Sequence, residues 1–381
     1  MPAFLFISIV NKLTAEQRMN ALGKNGEAFF FLIDFDMENI ILDSNPESST
    51  LFLYDIDGIS NIKTRNSEIK SIVLEPLLPD KNAYNKAFEN VQHHIKYGNS
   101  FLANLTWKTK LNNTLDLEEL FYNSQAKYRL LYRDKFVVFS PETFVKISDQ
   151  KISSYPMKGT IDATIHNARS IILENKKEKA EHNTIVDLIR NDLSIVSKNV
   201  KLEEYRYIDL IQTNNKDLLQ VSSKITGELD NDYTNKIGSI LFSLLPAGSI
   251  SGAPKKKTVE IINESEIAVR GYYTGVGGYF DGKNLDSFVL IRFIEKEGDS
   301  FGRVVTAADV DGDGRQDLLA YWGEGYVGVW RSTGSGVGTG EYAHTDADLE
   351  FGVTAADLDG DGWSDLVGTR VGFILGSPTP E

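Results

Sequence analysis

Two rhythms of hydrophobic and polar positions run through the first three hundred residues. "EAFFFLIDF" (27–35), "KFVVFSPETFVKI" (135–147) and "NLDSFVLIRFIEK" (284–296) are dense in aromatic and β-branched residues and predict strands. "NKAFENVQHHIKYG" (85–98), "EHNTIVDLIRNDL" (181–193) and "NKIGSILFSLL" (235–245) place apolar residues three and four apart and predict helices. Strands and helices interleaved in this way suit a mixed α/β or α+β domain of about 300 residues.

The pattern changes near Gly298. Every lysine lies before residue 300, whereas residues 301–381 hold four arginines, fourteen Asp or Glu and sixteen of the 31 glycines. The tail repeats itself: "FGRVVTAADVDGDGRQDLLAYWG" from Phe301 and "FGVTAADLDGDGWSDLVG" from Phe351. These shifts predict two domains, 1–298 and 299–381, joined as a fusion of unrelated pieces.

Composition narrows the function classes. A chain of 381 residues with 41% hydrophobic and 10% aromatic residues can bury a large core. Its net charge of -14 argues against nucleic acid as a partner, because phosphate backbones need a basic face. With no cysteine, disulfides, thiolate metal sites and cysteine nucleophiles are excluded, which suits a cytoplasmic location. The start "MPAFLFISIVNKL" has no basic segment and no cleavage site, and no run of about 18 apolar residues occurs, so neither a signal peptide nor a membrane span is expected.

The chemistry is concentrated in six segments: "GNSFLANLTWK" (98–108), "SPETFVKI" (140–147), "YPMKGT" (155–160), "EKAEHNTIVDLIRND" (178–192), "LPAGSISGAPKKKTVEII" (245–262), and "RGYYTGVGGYF" (270–280) followed by "VLIRF" (289–293). Taken one at a time they have plain readings. Lys158 is a surface lysine where a strand stops, Glu142 a solvated carboxylate at a strand end, and Arg292 an edge charge. Glu178 and Glu181, three apart, are partners for helix cations, and "AGSISGAP" is a glycine turn.

In this order the six segments resemble the chorismate-utilising enzymes, and within them component I of aminodeoxychorismate synthase, over residues 1–298. The resemblance implies the α+β fold of that family, with large sheets and helices packed outside. It implies chorismate as substrate and ammonia from a glutamine amidotransferase partner. It makes Lys158 a covalent nucleophile on the substrate ring, where anthranilate synthases carry alanine, and Glu142 the acid that protonates the departing C4 hydroxyl. Glu178 and Glu181 become part of a Mg²⁺ site for the ring carboxylate. Tyr273 and Arg292 become the clamp on the enolpyruvyl carboxylate, with Gly248, Ser249, Gly275 and Thr160 as further substrate contacts.

Two departures stand out. Gln220 in "LLQVSSKITG" occupies a position where the family has histidine, and a glutamine cannot shuttle a proton near pH 7. After "VLIRF" the family continues into a glycine-rich segment and an acidic helix that complete the magnesium site, whereas this chain enters its tail. The fold is therefore expected to be truncated and its activity impaired. An anthranilate synthase component I and a catalytically inactive chimera carrying a calcium-binding module are the alternatives.

In the tail, Asp309, Asp311, Asp313 and Asp317 stand at loop positions 1, 3, 5 and 9, and Asp357, Asp359, Asp361 and Asp365 repeat the spacing. Alternate carboxylates curling round one point suit Ca²⁺. No glutamate stands at position 12, which argues against an EF-hand. The pattern resembles the FG-GAP repeats of integrin-type β-propellers, and two such blades are too few to close a ring.

Overall fold

A computed structural model describes residues 7–49, 51–62, 72–112, 115–211 and 217–296, and beyond them the backbone of seven strands between 304 and 374. The chain divides into two compact units, Met1–Lys296 and Glu297–Glu381.

The first unit begins with β1 (Ile7–Val10), α1 (Lys12–Asn25), β2 (Phe29–Ile33), β3 (Ile40–Asp43), β4 (Phe52–Ile56), β5 (Ile59–Ser60), α2 (Lys81–Lys96) and β6 (Leu102–Ala103). It continues with α3 (Leu117–Asn123), β7 (Tyr128–Tyr132), β8 (Phe136–Ser140), β9 (Thr143–Ser148), β10 (Lys151–Ser154), β11 (Met157–Asp162), α4 (Ala168–Glu174) and α5 (Lys176–Val196). The long hairpin β12 (Lys198–Ile211) and β13 (Leu218–Glu228) follows, then α6 (Ile237–Leu244), α7 (Gly248–Ser251), β14 (Gly252–Ala253), α8 (Lys255–Ser265), β15 (Val276–Phe280), β16 (Leu285–Val289) and β17 (Phe293–Glu295).

A ten-stranded sheet runs β1-β3-β2-β15-β16-β9-β10-β13-β11 with β12 on β13, and a five-stranded sheet runs β17-β8-β7-β4-β5. The apolar run of β2 is continuous because both faces of its sheet are covered. Phe29, Phe31 and Ile33 pack toward Ile185, Ile189 and Leu193 of α5 and Ile237 and Leu241 of α6. Phe30 and Leu32 meet Phe52, Tyr54, Tyr128 and Val138 of the five-stranded sheet. The outer face of that second sheet is closed by Leu117, Leu120 and Phe121 of α3. The layers are thus helix, sheet, sheet, helix, an α+β architecture.

Two predicted elements divide. "KFVVFSPETFVKI" breaks into β8 and β9 at Pro141-Glu142, and "NLDSFVLIRFIEK" into β16 and β17, with Arg292 in the left-handed region at φ 55°. The second break sends the chain from one sheet to the other, which periodicity alone does not register. Among the described residues, no helix is long and apolar enough to cross a membrane.

The second unit holds a four-stranded sheet, β18 (Val304–Ala308), β19 (Asp317–Gly323), β20 (Tyr326–Trp330) and β21 (Glu341–His344), and a three-stranded one, β22 (Val353–Ala356), β23 (Asp365–Gly368) and β24 (Gly372–Ile374). Its repeat is visible in register: Ala308 faces Asp317, as Ala356 faces Asp365.

Helices α1 and α6 approach until backbone meets backbone. A Cβ on Gly238 would lie 2.6 Å from the Glu16 carbonyl oxygen and 2.9 Å from Met19 Cβ. Gly238→Ala is therefore expected to cost about 1–3 kcal/mol by overpacking, read as a lower denaturant midpoint of the helical circular-dichroism signal.

Candidate active site

The corner between β8 and β9 places Glu142. Its N–H donates to Ser140 Oγ at 3.1 Å and its carbonyl accepts from Val289 N at 3.1 Å, so the residue is held against the end of β16. The carboxylate accepts a hydrogen bond from Ser249 Oγ. Burial raises its pKa above the ordinary carboxylate value, opposed by the Ser249 donor and the nearby Lys158 charge. A carboxyl held this way can keep a proton nearer neutrality, as a general acid must. A narrow cavity beside it is lined by Glu142, Tyr155, Pro156, Ile189, Gly248 and Ser249.

Lys158 does not end a strand. It lies inside β11, where the pairing with β13 slips between Met157 and Thr160 and Gly159 takes φ 83°. This bulge is what lets helix α5 come close: Glu178 Oε2 is 3.2 Å from where a Cβ on Gly159 would stand. Lys158 is half-buried, and its charge acts on both Glu142 and His182. Thr160 is exposed and pairs in register with Gln220.

Asn175 caps α5, accepting from Lys177 N at 3.0 Å and Glu178 N at 3.1 Å, which sets Glu178 in the first turn where the helix dipole favours a carboxylate. Glu181, one turn on, lies 3.5 Å from Lys177 Nζ. The next residue, His182, faces inward and is fully buried, its Nε2 2.7 Å from Ser223 Oγ on β13. Burial first, then the charges of Arg206 and Lys158, push its pKa down to about 4. Arg206 itself reaches across to the last turn of α4, donating to Leu173 O at 2.7 Å and Ile172 O at 3.1 Å.

The opposite wall is the segment from Leu245 to Ala253. Ser249 reaches Glu142 from it, and Ile250 offers its carbonyl to a buried arginine, Arg270. Arg270 makes a two-pronged ion pair with Glu266, Nε to Oε2 at 2.8 Å and Nη2 to Oε1 at 2.6 Å, with side-chain exposures of only 3% and 5%. The remaining Arg270 donors go to Asn104 O and Thr274 Oγ1, and Glu266 also accepts from Thr106. Tyr273 sits in the turn after Arg270, its hydroxyl held protonated by burial, its ring 6.0 Å from Phe293. Thr274 N donates to Leu290 O, which draws the Tyr273 turn to the strand end that leads to Arg292. The Arg292 side chain is exposed. Gly275 allows close approach, since a Cβ there would stand 2.2 Å from Ile33 O.

The structure thus brings Glu142, Ser249 and Gly248 to one cavity, with the Lys158 charge acting on Glu142, and brings Glu178 to the bulge at Gly159. Tyr273 and Arg292 are set at the ends of the neighbouring strands. Four participants went unremarked in the sequence. Arg270 and Glu266 carry the plainest signal, opposite charges four apart at a helix end. Asp192 and Lys255 are 63 residues apart and join only in the fold, at 2.9 Å.

Glu178 and Glu181 offer two carboxylates on one helical turn, and among the described residues no group of three or more acidic or histidine side chains could hold a metal ion. Such a pair fits Mg²⁺, which takes one or two protein carboxylates and fills its remaining positions with water and anionic ligand oxygens. Asp317 and Asp365 start β19 and β23, while Asp309, Asp311, Asp313, Asp357, Asp359 and Asp361 lie outside the described residues.

Comparison with known proteins identifies the family of each part of the chain. Residues 18–308 match the chorismate binding enzyme family and residues 309–368 the FG-GAP-like repeat. An uncharacterised PabA-like protein of Pasteurella multocida is 46% identical over 282 residues, covering 74% of this chain and 87% of that one. Aminodeoxychorismate synthase component 1 of Bacillus subtilis is 29% identical over 233 residues, covering 57% of this chain and 48% of that one. In fold, the chain is similar to MenF, the menaquinone-specific isochorismate synthase of Escherichia coli, with a TM-score of 0.56 at 14% identity, covering 76% of this chain and 75% of that one. It is also similar to anthranilate synthase component I of Streptococcus pneumoniae, with a TM-score of 0.53 at 19% identity, covering 70% and 72%. The chain belongs to the chorismate-utilising enzymes, with an FG-GAP-like repeat segment fused behind the enzyme domain.

Two outcomes are expected from the buried charges. Glu266→Gln leaves the Arg270 guanidinium buried without its counter-charge and should destabilise the enzyme unit by about 3–5 kcal/mol, measured by denaturant unfolding. His182, with its folded pKa near 4 against an ordinary 6.5, disfavours its own protonation in the native state. The unfolded chain then binds the extra proton between those values. Stability from this residue is complete above about pH 6.5 and is lost as pH falls toward 4, by roughly 3 kcal/mol in all. His182→Gln should flatten that stretch of the stability profile.

Proposed function

We propose that this chain is an aminodeoxychorismate synthase component I, converting chorismate and ammonia to 4-amino-4-deoxychorismate, with ammonia delivered by a glutamine amidotransferase subunit. The observation that carries the reading is Glu142, a carboxyl at the narrow cavity whose pKa is raised by burial, with Lys158 near enough for its charge to act on it. The aminodeoxychorismate synthase among the relatives and the PabA-like names of others support it.

In this reading the amine of Lys158 forms a bond to the substrate ring as the C4–O bond breaks, and Glu142 gives its proton to the departing hydroxyl, which leaves as water. Ammonia then bonds to C4 as the bond to Lys158 breaks. The surplus ammonia proton returns to the Glu142 carboxylate, so one hydroxyl is exchanged for one amino group. Tyr273 and Arg292 hold the enolpyruvyl carboxylate, and the backbone of Gly248, Ser249 and Gly275, with Thr160, lines the remaining contacts. Glu178 and Glu181 would hold a Mg²⁺ whose charge offsets that of the ring carboxylate. In the tail, the alternating aspartates are proposed Ca²⁺ ligands.

Purified protein incubated with chorismate, ammonium and Mg²⁺ should form 4-amino-4-deoxychorismate, resolved by chromatography. Lys158→Ala should abolish it without moving the unfolding midpoint, because a half-exposed side chain leaves no core cavity. Anthranilate as the product would assign the chain to the anthranilate synthases. Absence of any product would mark the enzyme domain as inactive in this fusion.

A further inference from the structure

Asp192 and Lys255 form an ion pair outside the residues assigned above. Lys255 Nζ donates to Asp192 Oδ2 at 2.9 Å and to Leu244 O at 2.9 Å, with side-chain exposures of 19% and 13% for the lysine and the aspartate. One amine therefore ties α5, the last turn of α6 and the first turn of α8 together. Its position is not what helix α8 would select for itself. Lys255, Lys256 and Lys257 open that helix with no acidic residue in the first turn, where the dipole disfavours cations. Lys255 is placed for Asp192, and Asp192 for the segment lying over it.

That segment is the wall carrying Ser249. A Cβ on Gly248 would stand 3.0 Å from Asp192 Oδ2 and 2.9 Å from Leu188 Cδ2, so the carboxylate lies directly beneath the backbone that leads into Ser249. Leu244 and Lys255, the two ends of the connection from α6 to α8, are clamped by the same amine. Inside the connection, Ser251 Oγ donates to Ala247 O at 2.9 Å, which closes the turn on itself. We propose that Asp192 is a positioning residue: paired with Lys255, it seats the Gly248-Ser249 backbone so that the Ser249 hydroxyl meets the Glu142 carboxylate.

Asp192 does not touch Glu142 and acts only through this wall. The groups facing Glu142 are Lys158 from β11 and Ser249 from α7, with Tyr155 lining the same cavity. The group facing Asp192 is Lys255 from α8. The hydroxyl donor favours the ionised form of Glu142, so an unseated Ser249 lets the carboxyl hold its proton to higher pH. Burial raises the Glu142 carboxyl and the Ser249 donor opposes it, and the wall sets how far that donor reaches.

The role rests on reading Glu142 as the acid, and the test needs no turnover. In protein labelled with carboxyl-¹³C glutamate, the Glu142 resonance is assigned by its loss in Glu142→Gln and followed through a pH titration. Ser249→Ala should raise its midpoint by roughly one pH unit. Asp192→Asn should raise it by a comparable amount, and the double variant no further, because both remove one hydrogen bond. Lys255→Met, which unclamps the same wall from the other side, carries the same expectation should Asp192→Asn fail to fold. A folded Asp192→Asn or Lys255→Met protein with an unmoved midpoint overturns the proposal, as does a double variant whose shift is the sum of the singles. A shared, non-additive shift in a chain that makes no product from chorismate would overturn the proposed activity and leave the positioning role standing.

Discussion

A guanidinium and a carboxylate sealed from water, Arg270 and Glu266, hold together the parts of the enzyme domain on which the site is built. A buried arginine has five donors to satisfy, and an unpaired one would cost several kcal/mol. Here the donors are distributed over Glu266, Ile250 O, Thr274 Oγ1 and Asn104 O, and the planar cation also lies 4.6 Å from the centre of the Phe35 ring. Four stretches of chain are thereby joined: the segment around Asn104 to Thr106, the α7 wall, the end of α8, and the turn entering β15. The wall that presents Ser249 and the turn that presents Tyr273 are both anchored to this one ion pair.

Around that anchor the layered sheets determine what faces what. The ends of β9, β15 and β16 converge, bringing Glu142 against Val289 and the Tyr273 turn against Leu290. Helix α5 covers the same sheet and delivers Glu178 to the β11 bulge and His182 to β13. Burial then acts with opposite consequences on the two titratable groups. It raises the Glu142 carboxyl, favouring its neutral acid form, and lowers His182, favouring its neutral base form. The charge of Lys158 acts on both, opposing the rise of the one and adding to the fall of the other.

Much of this was legible in the chain. The dense apolar run "EAFFFLIDF" announced the strand β2, and the three-and-four spacing in "EHNTIVDLIRNDL" announced the helix α5. The resemblance of six ordered segments pointed to the chorismate-utilising enzymes, to which the chain belongs. The composition break near Gly298 and the repeated aspartate spacing pointed to the FG-GAP-like tail.

Other features depend on contacts that local patterns do not encode. In "YPMKGT" Lys158 read as a residue where a strand stops, whereas a bulge at Gly159 keeps β11 going and opens room for Glu178, a consequence of where α5 packs. "NLDSFVLIRFIEK" reads as one strand because periodicity reports burial and not which sheet supplies it; the break at Arg292 appears only when β17 joins the second sheet. The pairing of Asp192 with Lys255, and of Ser249 with Glu142, joins residues 63 and 107 positions apart. Residue types and spacing set which elements form, because those depend on side chains a few positions away. Which charges meet, and which are withdrawn from water, is settled only when the layers close, because desolvation and ion pairing act through space and not along the chain.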